Sequence, residues 1–390
     1  MIHPDEALAL IEALEFAPAI EKVPLASALG RVMARALESP VDQPPFDKSA
    51  MDGFAHPLPA GATGEFRVAG TIAAGGVPRA PLVPGECVRI MTGAPLPAGT
   101  GSVQRVEWTE ESGPGLVRFT KPEKVDNIIR RGENVRAGDT IMTPRRLRAQ
   151  DLGIIAAAGY AELPVARRPV VGVISTGDEL RSAGEALAPG AIYDSNGPQL
   201  AAHAEAAGAR AIFYGRVADR EDALERMART ALSECDVVVL SGGVSMGDYD
   251  YVPAVLEALG VERLFHGVLM KPGKPTWFGR SANRFVLGMP GNPVSTFVNF
   301  EFFGKPLLAR LQGIRYEPPV LPLRLAHDLS RKSADRVEWF PARREGALVR
   351  ALPYSGSSML QALEKADCLV RLEIGEKFRG AGSEIDARLL

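Results

Sequence analysis

The chain has 390 residues, of which 46% are hydrophobic and 24% charged, and its formal net charge is −2. That balance is ordinary for a water-exposed globular protein and gives no electrostatic case for binding nucleic acid. No apolar stretch reaches membrane-spanning length, which excludes a spanning helix from the expectations. The length predicts about two to four domains rather than one core. Cys87, Cys235 and Cys368 lie far apart with no metal-ligand spacing. They read as buried small hydrophobes of a reduced compartment, and the acidic N-terminus lacks the basic start of a secretory signal. A cytoplasmic location is expected.

In chain order, residues 4–16 place Ala7, Leu8, Ile11 and Leu14 on one face opposite Asp5, Glu6, Glu12 and Glu15, the pattern of an amphipathic helix. A second helix is expected over 25–37. Ten prolines and eight glycines then fall between Pro40 and Pro97, so short segments such as 65–68 and 86–90 predict a β-rich unit of turns and bulges. Residues 151–161 read as helix again. The expected organisation is a helical N-terminal domain from 1–42 plus 143–166, with 43–142 inserted into it as a β-rich domain.

From residue 167 the pattern becomes alternating strand and helix. Strands are expected at 169–175, 210–217, 236–240 and 284–287, with extended segments at 267–270 and 276–278. Helices are expected at 198–207, 221–233, 252–259 and 293–311. This layout predicts a multi-domain α/β protein whose central doubly wound unit, residues 167–314, binds its ligand beyond the carboxyl ends of the strands. Alternating stretches near 321–325 and 369–374 predict a C-terminal β domain or barrel over 315–390.

Three strand ends of the central unit carry suggestive residues. The buried run Val237–Leu240 ends in Ser241-Gly242-Gly243 and then Asp248 and Asp250. Glycines after a buried strand permit positive φ and bring bare N–H groups to an anion. Asp178 and Glu179 follow the first strand, and Gly288-Met289-Pro290-Gly291-Asn292-Pro293 opens directly into a helix. A helix start contributes about 0.3–1 kcal/mol toward an anion there. Between them, Lys271-Pro272-Gly273-Lys274-Pro275 holds two ammonium groups on a stiffened loop. The lysines suit phosphate, while Asp178, Glu179 and Asp250 suit a cation beside it. Each turn alone reads equally well as plain loop chemistry; their convergence on one sheet edge favours a site.

PPFDKSAMDGFA, RIMTGAPLPAG, RRGEN, VISTGDEL, YDSNGPQL, SGGVSMGDYDYV, MKPGKP and GMPGNPVSTF occur in this order. In these motifs the chain resembles the MoeA family of molybdopterin molybdenumtransferases, which includes the E domain of gephyrin. The resemblance implies a four-domain homodimer with a shared cleft. It implies that adenylylated molybdopterin and molybdate are substrates, that Mg²⁺ assists, and that AMP is released. It also implies dealings with the molybdopterin adenylyltransferase and with recipient molybdoenzymes. By motif, it implies Asp52, Thr92, Glu179 and Asp250 as catalytic, with Asp52 and Thr92 reaching the cleft from the partner subunit. Asp178, Glu179 and Asp250 are implied to hold the metal. The substrate would meet Ser241, Gly242, Gly243, Asp219, Lys271, Lys274, Pro290, Gly291, Asn292 and Ser357. Four places depart from the family pattern: Ile128-Ile129 replaces part of an arginine run, Asn134 an aspartate, Gly267 a lysine, and Gly101 opens a stretch that usually starts with aspartate. A carrier that binds molybdopterin without turnover is the alternative these departures raise.

Overall fold

The computed structural model describes residues 1–244, 251–354 and 356–390. Its centre is a mixed six-stranded sheet. Four parallel strands lie in the spatial order Arg210–Val217, Val170–Thr176, Val237–Ser241, Arg284–Met289. The antiparallel strands Trp277–Ser281 and Glu262–His266 complete the sheet beyond Arg284–Met289. The Val237–Ser241 strand is buried along its whole length, as an apolar β-branched run between two helical layers requires. On one face Val173, Val239 and Leu287 meet the Asn196–Ala206 helix and the run from Pro293 to Leu311; on the other, Ile174, Val238 and Val286 meet Glu221–Glu234 and Val252–Ala258. The run from Pro293 to Leu311 is one helix with a π-helical middle at Phe300–Gly304.

The second expected helix is absent. Residues 25–37 form a single 3₁₀ turn at Leu25–Ser27 and then an extended path that ends in the strand Leu37–Glu38. The Ile20–Pro24 strand pairs with Glu162–Ala166, Leu37–Glu38 pairs with Thr140–Met142, and Met33 bridges to Val165. Met33, Leu37, Met142, Ile155 and Leu163 share one small core. The Pro4–Glu12 helix lies elsewhere: Ala7 and Ile11 join the central core beside Leu307 and Leu311, and Asp5 pairs with Arg371 at 3.0 Å. The Pro169–Ser175 expectation shifts by one residue, and residues 267–269 lie outside the strands.

Between these N-terminal pieces, a six-stranded sheet runs in the order Ser102–Arg105, Gly53–His56, Glu86–Ile90, Gly64–Ile72, Leu116–Phe119, Thr109–Gly113. At the C-terminus, Val337–Glu345, Leu348–Ala351, Val320–Leu325, Glu384–Leu389 and Cys368–Leu372 pair in a closed ring, a five-stranded barrel. The short strand Met270–Lys271 pairs with the barrel at Val337 and Glu338, so the lysine loop is tied to it. No helix among the described residues is long and apolar enough to cross a membrane.

Candidate active site at the carboxyl ends of the central strands

The chain passes from the Val170–Thr176 strand to one neighbour, Arg210–Val217, and then returns to the other side at Val237–Ser241. That reversal leaves a crevice between the first and third strands, where open α/β sheets take their ligands. Register brings the loops together: Ser175 is level with Ser241, Ser241 with Met289, and Thr176 with Val217. The Thr176–Glu179, Asp219, Ser241–Gly243 and Pro290–Asn292 segments therefore leave the sheet side by side.

The floor is bare backbone. Gly242 has φ +97°, and a Cβ there would stand 2.5 Å from the Thr176 carbonyl oxygen. Only glycine fits both the conformation and the space. Its N–H donates to the Met289 carbonyl at 3.0 Å. Gly243, at φ +63°, continues the left-handed turn, and a Cβ on Gly291 would touch the Gly242 Cα at 3.8 Å. Ser241 and Pro290 are buried under this floor, while Gly291 and Asn292 are exposed. Asn292 does not cap the helix it precedes. Its Nδ2 donates to Ser357 Oγ at 2.8 Å, and the Ser357 carbonyl accepts from Val294 N at 3.0 Å, which docks the C-terminal segment onto this turn.

One flank is acidic. The Asp219 N–H donates to Asp178 Oδ1 at 3.2 Å, and Thr176 Oγ1 donates to Asp219 Oδ1. Each carboxylate thus has one oxygen fixed and a second without a hydrogen-bond partner among the described residues. Glu179 is exposed at the same turn, with its carboxylate folded against Gly177. Among the described residues no group of three His, Cys, Asp or Glu is gathered tightly enough to hold a metal. The expected third acid, Asp250, lies outside the described residues.

The two lysines differ. Lys271 Nζ pairs with Glu338 Oε1 at 2.7 Å, while the other Glu338 oxygen lies 3.8 Å from Arg331. Its ammonium is already neutralised by the barrel. Lys274 is exposed and has no ion pair among the described residues, so it is the available cation of the loop.

Asp52 and Thr92 meet for a topological reason. Gly53 and Ile90 are partners in adjacent antiparallel strands, so the residues just beyond them converge. Asp52 Oδ1 accepts from Thr92 N at 2.7 Å and from Thr92 Oγ1 at 2.8 Å. These two bonds, the backbone one foremost, hold the Asp52 carboxyl below its ordinary value, with the nearby Arg89 charge adding to them. Both side chains are exposed, and neither bonds to the central sheet among the described residues. Lys48, on the short strand four residues before Asp52, has no ion pair among the described residues either.

Two of the departures have a backbone reason. A Cβ at Gly101 would lie 2.6 Å from the carbonyl oxygens of both Pro57 and Leu58. Gly267 sits at φ +81°, and a Cβ there would meet Met1 Cγ at 2.8 Å. Gly101 has no room for a side chain, while Gly267 is disfavoured by its left-handed φ, since the exposed Met1 side chain could move aside. Ile129 pairs with Lys48 in a two-residue ladder, and Asn134 N–H donates to the Gln43 carbonyl at 3.0 Å.

Within the YDSNGPQL motif, the sequence alone points to no functional residue. The structure puts Asn196 of that motif between two site loops: its Nδ2 donates to Ser241 Oγ and to the Gly291 carbonyl, both at 2.7 Å. The signal was an asparagine at a helix start, which ordinarily reads as a cap.

Residues 2–159 match the family model of the MoeA N-terminal region (domain I and II), 172–310 that of a probable molybdopterin binding domain, and 323–390 that of the MoeA C-terminal region (domain IV). The chain is 35% identical over 375 residues to a molybdopterin molybdenumtransferase of Haemophilus influenzae, covering 93% of this chain and 92% of that one. It is 36% identical over 301 residues to the Bacillus subtilis molybdopterin molybdenumtransferase, covering 74% and 70%. Its fold is similar to the crystal structure of a molybdopterin biosynthesis MoeA protein from Pyrococcus horikosii, with a TM-score of 0.87 and 31% identity over 100% of this chain and 99% of that one. Matched by three family models between residues 2 and 390, by a relative over 93% of its length and in fold throughout, the chain belongs to the MoeA family of molybdopterin molybdenumtransferases.

Proposed function

We propose that this chain is a molybdopterin molybdenumtransferase that inserts molybdate into adenylylated molybdopterin with release of AMP, acting in the cytoplasm as a homodimer with a shared cleft. The observation that carries the reading is the bare floor of Gly242 and Gly291 beside the Asp178–Asp219 pair, with Lys274 as the unpaired cation of the lysine loop among the described residues. The Gly243 and Gly291 N–H groups, without a hydrogen-bond partner among the described residues, would donate to a phosphorylated ligand over this floor.

The substrate carries a phosphoanhydride between the molybdopterin phosphate and AMP. A water or molybdate oxygen attacks the molybdopterin phosphorus, the bond from that phosphorus to the bridging oxygen breaks, and AMP leaves with that oxygen. Charge accumulating on the phosphate oxygens is met by fixed donors that need not reorganise during the step. Ser241–Gly243 and Gly291 cradle the phosphates, and Lys274 neutralises them. Lys271, held at Glu338, fixes the far side of the same loop. Pro290 and Asn292 shape the turn, with Ser357 docked beside it.

Oxygen donors with one fixed and one unpartnered oxygen each, as in Asp178 and Asp219, fit Mg²⁺, which is ordinarily held by one or two carboxylates plus water and phosphate. When bound, the ion would polarise the bridging phosphate oxygen. Asp250 would join these ligands, and Glu179 would face the pterin from the same turn. Asp52 and Thr92, oriented by each other and unengaged with the central sheet, would close over the partner's cleft. The product would pass to recipient molybdoenzymes, and the substrate would come from an adenylyltransferase.

Incubating the protein with adenylylated molybdopterin, molybdate and Mg²⁺ tests the reading. AMP and molybdenum cofactor should appear in equal amounts. Tight binding without AMP would make the chain a carrier instead.

A further inference from the structure

We propose that Asn196 is a positioning residue for the reaction, clamping the Ser241–Gly243 loop to the Gly291 turn so that their backbone donors face one ligand together. The proposal rests on the reading that these loops hold the substrate phosphates. Asn196 opens the Asn196–Ala206 helix and is 8% exposed. Its amide nitrogen has two protons, and both are placed: one on Ser241 Oγ and one on the Gly291 carbonyl, each at 2.7 Å. The opposite amide orientation would set the Asn196 carbonyl against the Gly291 carbonyl, two acceptors with no proton between them. The orientation is therefore fixed by chemistry.

The residue cannot retreat from this position. Asp194 Oδ1 accepts from Gly197 N at 3.0 Å, and Asp194 N donates to the Arg181 carbonyl at 2.8 Å. A Cβ on Gly197 would stand 2.4 Å from the Phe213 ring, so the helix start lies hard against the sheet. Without Asn196, the two loops are joined by the Gly242 N–H to Met289 carbonyl bond at 3.0 Å and by the Gly242–Gly291 contact. Because the Asn196 amide donates into Ser241 Oγ, the serine keeps its own proton, and no acceptor for it is found among the described residues. A cradle of N–H groups works only in alignment, and a displacement of about 1 Å at such a site costs on the order of 10²-fold.

The test is titration of the full-length protein with adenylylated molybdopterin, alongside kcat and KM. Asn196→Ala should weaken binding about 10- to 100-fold. Combining it with Ser241→Ala should cost less than the sum of the two single changes, because the bond they share is lost only once. Asn196→Asp keeps the shape. Its carboxylate would repel the Gly291 carbonyl near neutral pH, and its neutral acid would restore one donor as pH falls toward 5. Binding by Asn196→Asp, relative to wild type at each pH, should therefore recover on acidification, whereas Asn196→Ala should not. Wild-type affinity and turnover in Asn196→Ala would overturn the clamp. So would equal, pH-independent weakening in both variants, which marks a general role at the helix start. Failure of the wild type itself to bind adenylylated molybdopterin would overturn the substrate reading beneath it.

Discussion

At Asp52, both donors of Thr92 converge on one carboxylate oxygen and leave the other unpaired among the described residues. Thr92→Val keeps the backbone donor and removes the hydroxyl. It should reduce kcat/KM about tenfold, equivalent to about 1.4 kcal/mol, with melting unchanged because the pair is exposed. The Asp52 carboxyl is depressed in the folded chain, so these bonds are fully present above its ordinary value of 3.8 and are lost as pH falls through the lowered one. A ¹³C titration of the carboxyl in Thr92→Val should move upward toward that ordinary value; no movement would count against the hydroxyl's role. Gly242→Ala offers a harsher case, since its Cβ would strike the Thr176 carbonyl. It should cost about 1–3 kcal/mol in chemical denaturation and abolish ligand binding. Gly242 was legible because glycines follow an apolar run, whereas Asp52 and Thr92 are assigned only through the motifs shared with the family. Asn196 was not legible: its partners Ser241 and Gly291 lie 45 and 95 residues away, and nothing local distinguishes a clamp from a cap.

The segment from Leu25 to Leu37 shows where periodicity misleads. Its apolar residues recur at helical spacing, and Val32, Met33 and Leu37 are indeed buried. They are buried by pairing with Arg146, Val165 and Met142 across the chain, while Gly30 turns at φ +73°. The hydrophobic pattern identified the core face, but a distant partner decided the backbone. By contrast, Val237–Ser241 has apolar neighbours on both sides and was readable from its own residues. The lysine loop is another long-range product, fixed by a barrel strand more than sixty residues later. Arg331 pins that region: its side chain donates to the carbonyls of Arg336, Glu373 and Glu376, beside Glu338. Arg331→Met should lower barrel stability by about 3 kcal/mol in urea, because it leaves those three carbonyls unpaired and Glu338 with Lys271 as its one remaining cation among the described residues. Loosening the strand that pairs with Met270–Lys271 should also free the lysine loop and raise KM. A stable variant with unchanged KM would separate the barrel from the site.

On the scale of the whole molecule, the insertion sheet hides a neutral histidine. His56 is 1% exposed between Phe66 and Phe119, and burial pushes it down to about 4. The unfolded chain therefore binds the extra proton first. The stability from keeping His56 neutral is complete above about 6.5 and is lost as pH falls toward 4, worth roughly 3 kcal/mol over that window. Melting of the insertion should fall across it, and His56→Phe should flatten the slope.

The proposed shared cleft makes a further claim at this scale. Co-expressing an Asp52→Ala chain with an Asp219→Ala chain should return about a quarter of the wild-type sites, since a mixed dimer regains one intact cleft. Activity no greater than that of either variant alone would place all the residues in one subunit. The claim at the centre of the account is that the loops at the carboxyl ends of the central strands hold the substrate phosphates. A crystal structure of the protein with adenylylated molybdopterin tests it most directly. The phosphates should lie over Ser241–Gly243 and Gly291, with Lys274 on one flank and Asp178 and Asp219 on the other; phosphates bound away from these loops would contradict it.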